Sequence, residues 1–243
     1  MNRRTLRLAV AVMVGAHLGA FLAFAAPPSA GGHATDAAVV AMKKGDFQRA
    51  LDTLRPLAAK GDPDAEFLLG MLYDAGNGVA QDQAIAASWY RKAAEQKHLL
   101  AQLFLGVLFY AGQGVEQDYR QAARWLQAPA DSGNAQAQFY LGSMYAAGTG
   151  VEKDDAEAIR WLAKSAAQRN TSAMGLLATT LFARSRDEQD LIDAYVWSHL
   201  AAEYDRVQAM TSARVLIERY CSSEQKQKAK RAIAEWKRRW SNR

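Results

Sequence analysis

Residues 65–93 read AEFLLGMLYDAGNGVAQDQAIAASWYRKA, and six of their positions recur down the chain. Gly70, Gly76, Gly78, Val79, Asp82 and Trp89 return 36 residues on as Gly106, Gly112, Gly114, Val115, Asp118 and Trp125. They return again as Gly142, Gly148, Gly150, Val151, Asp154 and Trp161. A fixed period between about 20 and 50 residues marks a repeat architecture, in which each unit buries its apolar face on its neighbours. Such an array offers an extended surface more readily than a closed catalytic pocket.

Each copy reads as two antiparallel helices. Ala65, Leu69, Leu72 and Tyr73 fall on one helical face. Gly76 and Gly78 stop that helix, because glycine accepts the positive φ of a helix C-terminus. Asp82 stands where a second helix starts, and a carboxylate there is favoured by the exposed backbone amides. Ala86, Trp89, Tyr90, Ala93 and Ala94 form the second stripe, with the Trp expected to fill the space between helices. The second copy repeats this with Leu105, Leu108, Ala122 and Leu126, and the third with Leu141, Met144, Ala158 and Leu162.

The register extends beyond the clear copies. Ala173 and Trp197 keep the 36-residue spacing, but Arg184, Ser185, Arg186 and Asp187 replace the glycine turn. Residues 170–205 are thus a degenerate repeat after full repeats at 62–97, 98–133 and 134–169. Residues 37–61 form a partial leading repeat. Residues 206–243 read as capping helices with a basic tail, and Ser222 with Gln225 is a capping-box pair.

The pattern A-x(3)-LG-x(2)-Y-x(2)-G-x-GV-x(2)-D-x(6)-W-x(3)-A resembles the Sel-1-like repeat family, a relative of the tetratricopeptide repeat. The 36-residue period and the GxGV turn distinguish it from the 34-residue tetratricopeptide unit. The resemblance implies an all-α, right-handed α-solenoid of antiparallel helix pairs that serves as a non-enzymatic scaffold or adaptor, often in the cell envelope. One departure is Pro129, where the first and third copies carry Ala93 and Ser165. A proline inside a helix removes a hydrogen bond and crowds the preceding turn, so the second helix of that repeat is expected to end early or kink. Some secreted relatives carry a cysteine pair in every repeat, and the single Cys221 sets this chain apart from them.

Ahead of the repeats, Arg3, Arg4 and Arg7 precede an apolar run from Leu8 to Phe24, and Ala23 and Ala25 form a signal-peptidase-type site. The expectation is a signal peptide over 1–25, a linker over 26–36 and export to the periplasm of a Gram-negative-type cell. The alternative is an inner-membrane anchor through an uncleaved N-terminus, because the run is marginal for spanning. The formal charge of +5 hides an asymmetry. The last twenty residues carry eight basic and two acidic side chains, whereas residues 26–223 sum to −4. An exported acidic array argues against nucleic acid as a partner. The basic tail is read first as a capping helix with a wet cationic face, and second as a contact for anionic envelope components.

Chemistry-bearing motifs are sparse. The glycine loops recur at every turn and lack the Lys-Ser or Lys-Thr of a phosphate loop, so they read as architecture. His98, His199 and the Asp154–Asp155 pair have no triad or metal-site pattern around them. No catalytic, cofactor-binding or metal-binding residue is assigned, and no cofactor is expected. The varying first-helix positions are the candidates for partner binding. By analogy with tetratricopeptide arrays, Phe67, Met71, Leu103, Val107, Tyr110 and Phe139 would line a concave groove for an unknown protein or peptide. The competing reading gives some of them to packing between repeats. In function class, the alternatives are an envelope enzyme or ligand-binder acting on peptidoglycan, and a membrane-tethered structural factor.

Overall fold

The structure is a computed structural model that describes residues 34–184, 187–204, 214–215 and 217–241. The expected signal peptide, most of the linker and residues 205–213 lie outside the described residues. The chain divides into two compact units, Met1–Ala128 and Pro129–Arg243.

In the first unit α1 (Asp36–Lys43) and α2 (Phe47–Ala58) form the leading pair. They are followed by α3 (Pro63–Ala75), α4 (Gln83–Glu95), α5 (Leu99–Ala111) and the start of α6 (Tyr119–Asp131). From α1 to α5, each helix packs on the next. The second unit contains α7 (Ala135–Ala147), α8 (Asp155–Ala166), α9 (Thr171–Arg184), α10 (Glu188–Tyr204) and α11 (Ser223–Ser241), again packed consecutively. No strand occurs among the described residues.

Local chemistry sets the helix ends. Asp82, Asp118 and Asp154 each accept two backbone N–H bonds at the start of the second helix of a repeat, at 2.8 to 3.0 Å. The first helices are capped at a second 36-residue series. Asp62 accepts from Ala65 N, His98 Nδ1 from Ala101 N, Asn134 from Ala137 N and Asn170 from Ala173 N. At the other end of α3, α5 and α7, Gly76, Gly112 and Gly148 take φ of 69°, 68° and 67° and return an N–H to the helix or to its last carbonyls. That is the left-handed cap glycine adopts without strain.

A glycine inside the first helix brings the two helices of each repeat together. A Cβ on Gly70 would lie 2.6 Å from the Tyr90 ring. On Gly106 it would lie 2.8 Å from Leu126 Cγ, and on Gly142 2.6 Å from Leu162 Cγ. This corrects the role expected of the tryptophans. The side chain seated on each glycine is Tyr90, Leu126 or Leu162, all fully buried and each one residue after the Trp. Of the repeat tryptophans, Trp161 is 1% exposed, whereas Trp89, Trp125 and Trp197 are half-buried. Cations cover several of these rings: Lys92 Nζ sits 4.0 Å from the Trp89 ring centre, and Arg160 Cζ 4.1 Å from that of Trp161.

Pro129 does not end its helix early. α6 continues through it to Asp131. Proline sits in the last turn, so it removes a single hydrogen bond where the helix is about to stop. Its own carbonyl accepts from Asn134 N at 2.9 Å. In the degenerate repeat, an ion pair stands near the lost glycine turn. Arg184 binds the buried Asp190 through two guanidinium nitrogens, and Asp187 accepts from Asp190 N at 2.9 Å.

Candidate interaction surface

The six varying first-helix residues occupy different environments. Phe67, Met71 and Leu103 are 2%, 3% and 7% exposed. Phe67 belongs to an internal aromatic cluster: its ring centre lies 4.7 Å from His98, 5.5 Å from Phe104 and 5.7 Å from Tyr90. Val107 and Tyr110 on α5 are half-buried. Tyr110 meets the Tyr119 ring edge-on at 5.4 Å, and burial raises the pKa of its phenol. In the second unit, Phe139 is half-buried against Tyr140, and the Ser143 hydroxyl donates to Phe139 O at 2.8 Å. On the first helices of the first unit, Val107 and Tyr110 are half-buried, whereas Phe67, Met71 and Leu103 are buried.

The histidines are used by the fold. Neutral His98 accepts the Ala101 amide at 3.1 Å through Nδ1, and its Nε2 lies 3.2 Å from Asp64 Oδ1. Burial holds its pKa below the usual imidazole value, although Asp64 and Asp62 pull it upward. His199 Nδ1 lies 3.0 Å from Tyr195 O, and its ring stacks on Tyr195 at 4.0 Å. Burial lowers its pKa too. Asp154 caps α8, and Asp155 pairs with Lys153 at 3.0 Å. Among the described residues no three metal-ligating side chains come together.

A set of residues that the periodicity reading passed over ties neighbouring helices together. Glu66, Gln102 and Gln138 are buried and spaced by 36. Gln102 Nε2 donates to Ala94 O at 3.1 Å, and Gln138 Nε2 to Ala130 O at 3.0 Å. Gln96 donates to Glu66 Oε2 at 2.7 Å, and Gln168 to Gln138 Oε1 at 2.9 Å. A buried polar group must find such partners. The signal was present in the sequence as a polar residue beside each recurring Ala65, Ala101 and Ala137.

The basic tail is docked. Ala229 of α11 is fully buried, and Ala232, Ile233 and Trp236 pack on the core of the second unit. Lys228 pairs with Glu188 at 2.9 Å, and Lys237 with Glu203 at 2.6 Å. Among the described residues no helix is long and apolar enough to cross a membrane.

Comparison with known proteins agrees with this geometry. The family model described as Sel1 repeat matches at residues 63–98, 99–134 and 135–170. A protective antigen of uropathogenic Escherichia coli displaying an SLR fold is 32% identical, with a TM-score of 0.68. The match covers 78% of this chain and 41% of the antigen, so this chain spans about two fifths of that protein. A Sel1 repeat protein from Oxalobacter formigenes is 28% identical, with a TM-score of 0.64, over 70% of this chain and 68% of that one. No protein of curated function matches. With helix pairs packed in order and three consecutive family matches, residues 63–170 are three Sel1 repeats, and the chain has the helix-pair solenoid fold of its structural neighbours.

Proposed function

We propose that this protein is a non-enzymatic interaction scaffold of the cell envelope that binds a protein or peptide on the first-helix face of its repeats. One observation carries the reading. His98, Asp154 and the buried glutamines Gln102 and Gln138 serve the fold as caps and pins, while Val107 and Tyr110 are half-buried apolar and aromatic side chains on one helix. A half-buried aromatic with one polar end is a favoured interface anchor, because it loses little entropy on binding. In the second unit Phe139 offers the same chemistry. Export rests on the sequence of residues 1–25 and on the usual role of such repeats.

Site-specific photo-crosslinking in the native cell tests the proposal. A crosslinker at Val107 or Tyr110 should give a discrete adduct that one at the exposed Lys92 does not. Equal labelling from both positions, or none from Val107 and Tyr110, contradicts it.

A further inference from the structure

We propose that Asn77 is a site of spontaneous deamidation to aspartate and isoaspartate, and that the change loosens the first glycine turn. Asn77–Gly78 is the one Asn-Gly pair in the chain, and the matching positions carry Gln113–Gly114 and Thr149–Gly150. The reaction joins two atoms of adjacent residues. The Gly78 backbone nitrogen attacks Asn77 Cγ, so a C–N bond forms and the Cγ–Nδ2 bond breaks. The proton of that nitrogen leaves with the amide group as ammonia. Water then opens the cyclic imide. Hydrolysis at one carbonyl leaves aspartate. Hydrolysis at the other leaves isoaspartate, whose main chain runs through the side-chain carbon. Water is the only co-reactant.

The surroundings of Asn77 differ from those of the other described asparagines. Asn134 and Asn170 hold their side chains as caps, accepting Ala137 N at 2.9 Å and Ala173 N at 3.0 Å. Ala135 and Thr171 follow them and hinder attack with their side chains. The half-buried Asn77 side chain bonds to no described residue, so no hydrogen bond fixes its χ1. Gly78 is exposed, has no Cβ in the way, and its N–H donates to no described group. Asn77 N is tied to Leu72 O at 2.9 Å. That bond lies on the far side of ψ, the torsion that brings the reacting atoms together. The turn itself is seated on α2, where a Cβ on Gly78 would lie 2.7 Å from Phe47 Cβ and 3.2 Å from Leu51 Cδ1. Isoaspartate adds one carbon–carbon bond, about 1.5 Å, to the main chain ahead of that contact. It therefore displaces Gly78 from α2, and both products add a negative charge to an acidic body. The modification is independent of the partner-binding reading above.

The test is incubation of the purified full chain at mildly alkaline pH, below its melting temperature, followed by peptide mapping. Electron-transfer fragmentation separates isoaspartate from aspartate. The peptide holding Asn77 should gain the mass of an amide-to-acid exchange and show both isomers. Peptides holding Asn134 and Asn170 should gain none. The aged chain should show an acidic band on native isoelectric focusing and melt lower than the fresh chain. Asn77→Gln places the residue type of Gln113 in the turn and keeps the carboxamide, but its larger ring closes far more slowly, so it should show neither change. A folded chain unmodified at Asn77, under conditions that deamidate the isolated peptide, overturns the proposal. So does equal modification of all three asparagines, or aspartate without isoaspartate. An aged chain that carries isoaspartate at this position and melts as the fresh chain does overturns the loosening.

Discussion

At the scale of single residues, His98 carries the sharpest dependence on conditions. It caps α5 only while Nδ1 is unprotonated, because the cap is an acceptor for Ala101 N–H. Protonation puts a donor and a positive charge at the positive end of a helix. Asp64 on α3 and Asp62, which caps α3, favour the charged form, yet burial outweighs them and the folded pKa is lowered. A lowered pKa means that the unfolded chain binds the proton more readily. The stabilisation is therefore complete above about pH 6.5 and is lost as pH falls through the lowered folded value. Asn134 and Asn170 do the same work without titrating. His98→Asn should flatten the fall in melting temperature between about pH 7 and pH 5, relative to wild type. Parallel curves would show that the cap does not respond to protonation. Gly106 gives a second residue-level prediction. Gly106→Ala drives a Cβ against Leu126 and should cost about 1–3 kcal/mol of stability, read by denaturant melts. A neutral result would mean that α5 and α6 separate at little cost.

Elements are joined by their buried polar pins. Gln138 both donates to Ala130 O and accepts from Gln168, so Gln138→Ala should lose about 1–3 kcal/mol, more than a surface glutamine would. Glu66 is the odd member of its series. Burial is the main cause of its raised pKa, despite the bond from Gln96 and the charge of Lys92. A carboxylate with a raised folded pKa weakens the fold where it is ionised, and the penalty fades as pH falls through that value. Glu66→Gln restores the residue type of Gln102 and Gln138 and keeps an acceptor for Gln96. The expected outcome is a higher melting temperature at pH 7, with the advantage shrinking toward pH 4. A variant that melts lower at pH 7 would show that the ionised carboxylate is favourable in place. The terminal element follows the same logic. α11 is fastened by Lys228 and Lys237 to acids of α10, which accounts for two of the tail's cations as fold contacts.

For the whole molecule, much of the architecture was legible because a spacing of 36 residues fixes helix pairs, their turns and their order. Gly76, Asp82 and their equivalents declared helix ends through backbone chemistry that needs no tertiary context. Burial at the varying positions was harder to read. Phe67 and Leu103 differ in identity, yet both are large and apolar, and a core selects for volume as much as for residue type. The one-residue offset between Trp89 and Tyr90 depends on which side chain crosses Gly70, a contact between helices that no linear pattern states. The pins were visible as a polar periodicity but had no declared partner until Ala94 O and Ala130 O were placed. What remains on the first-helix face of the first unit is small, and the account of function rests on it. The most direct test measures the dissociation constant of the crosslinked partner for wild type and for Val107→Ser/Tyr110→Ser, alongside their melting temperatures. The account predicts a loss of at least tenfold, roughly 1.4 kcal/mol, with helicity retained and the melt little changed. A folded double variant that binds as tightly as wild type would contradict it.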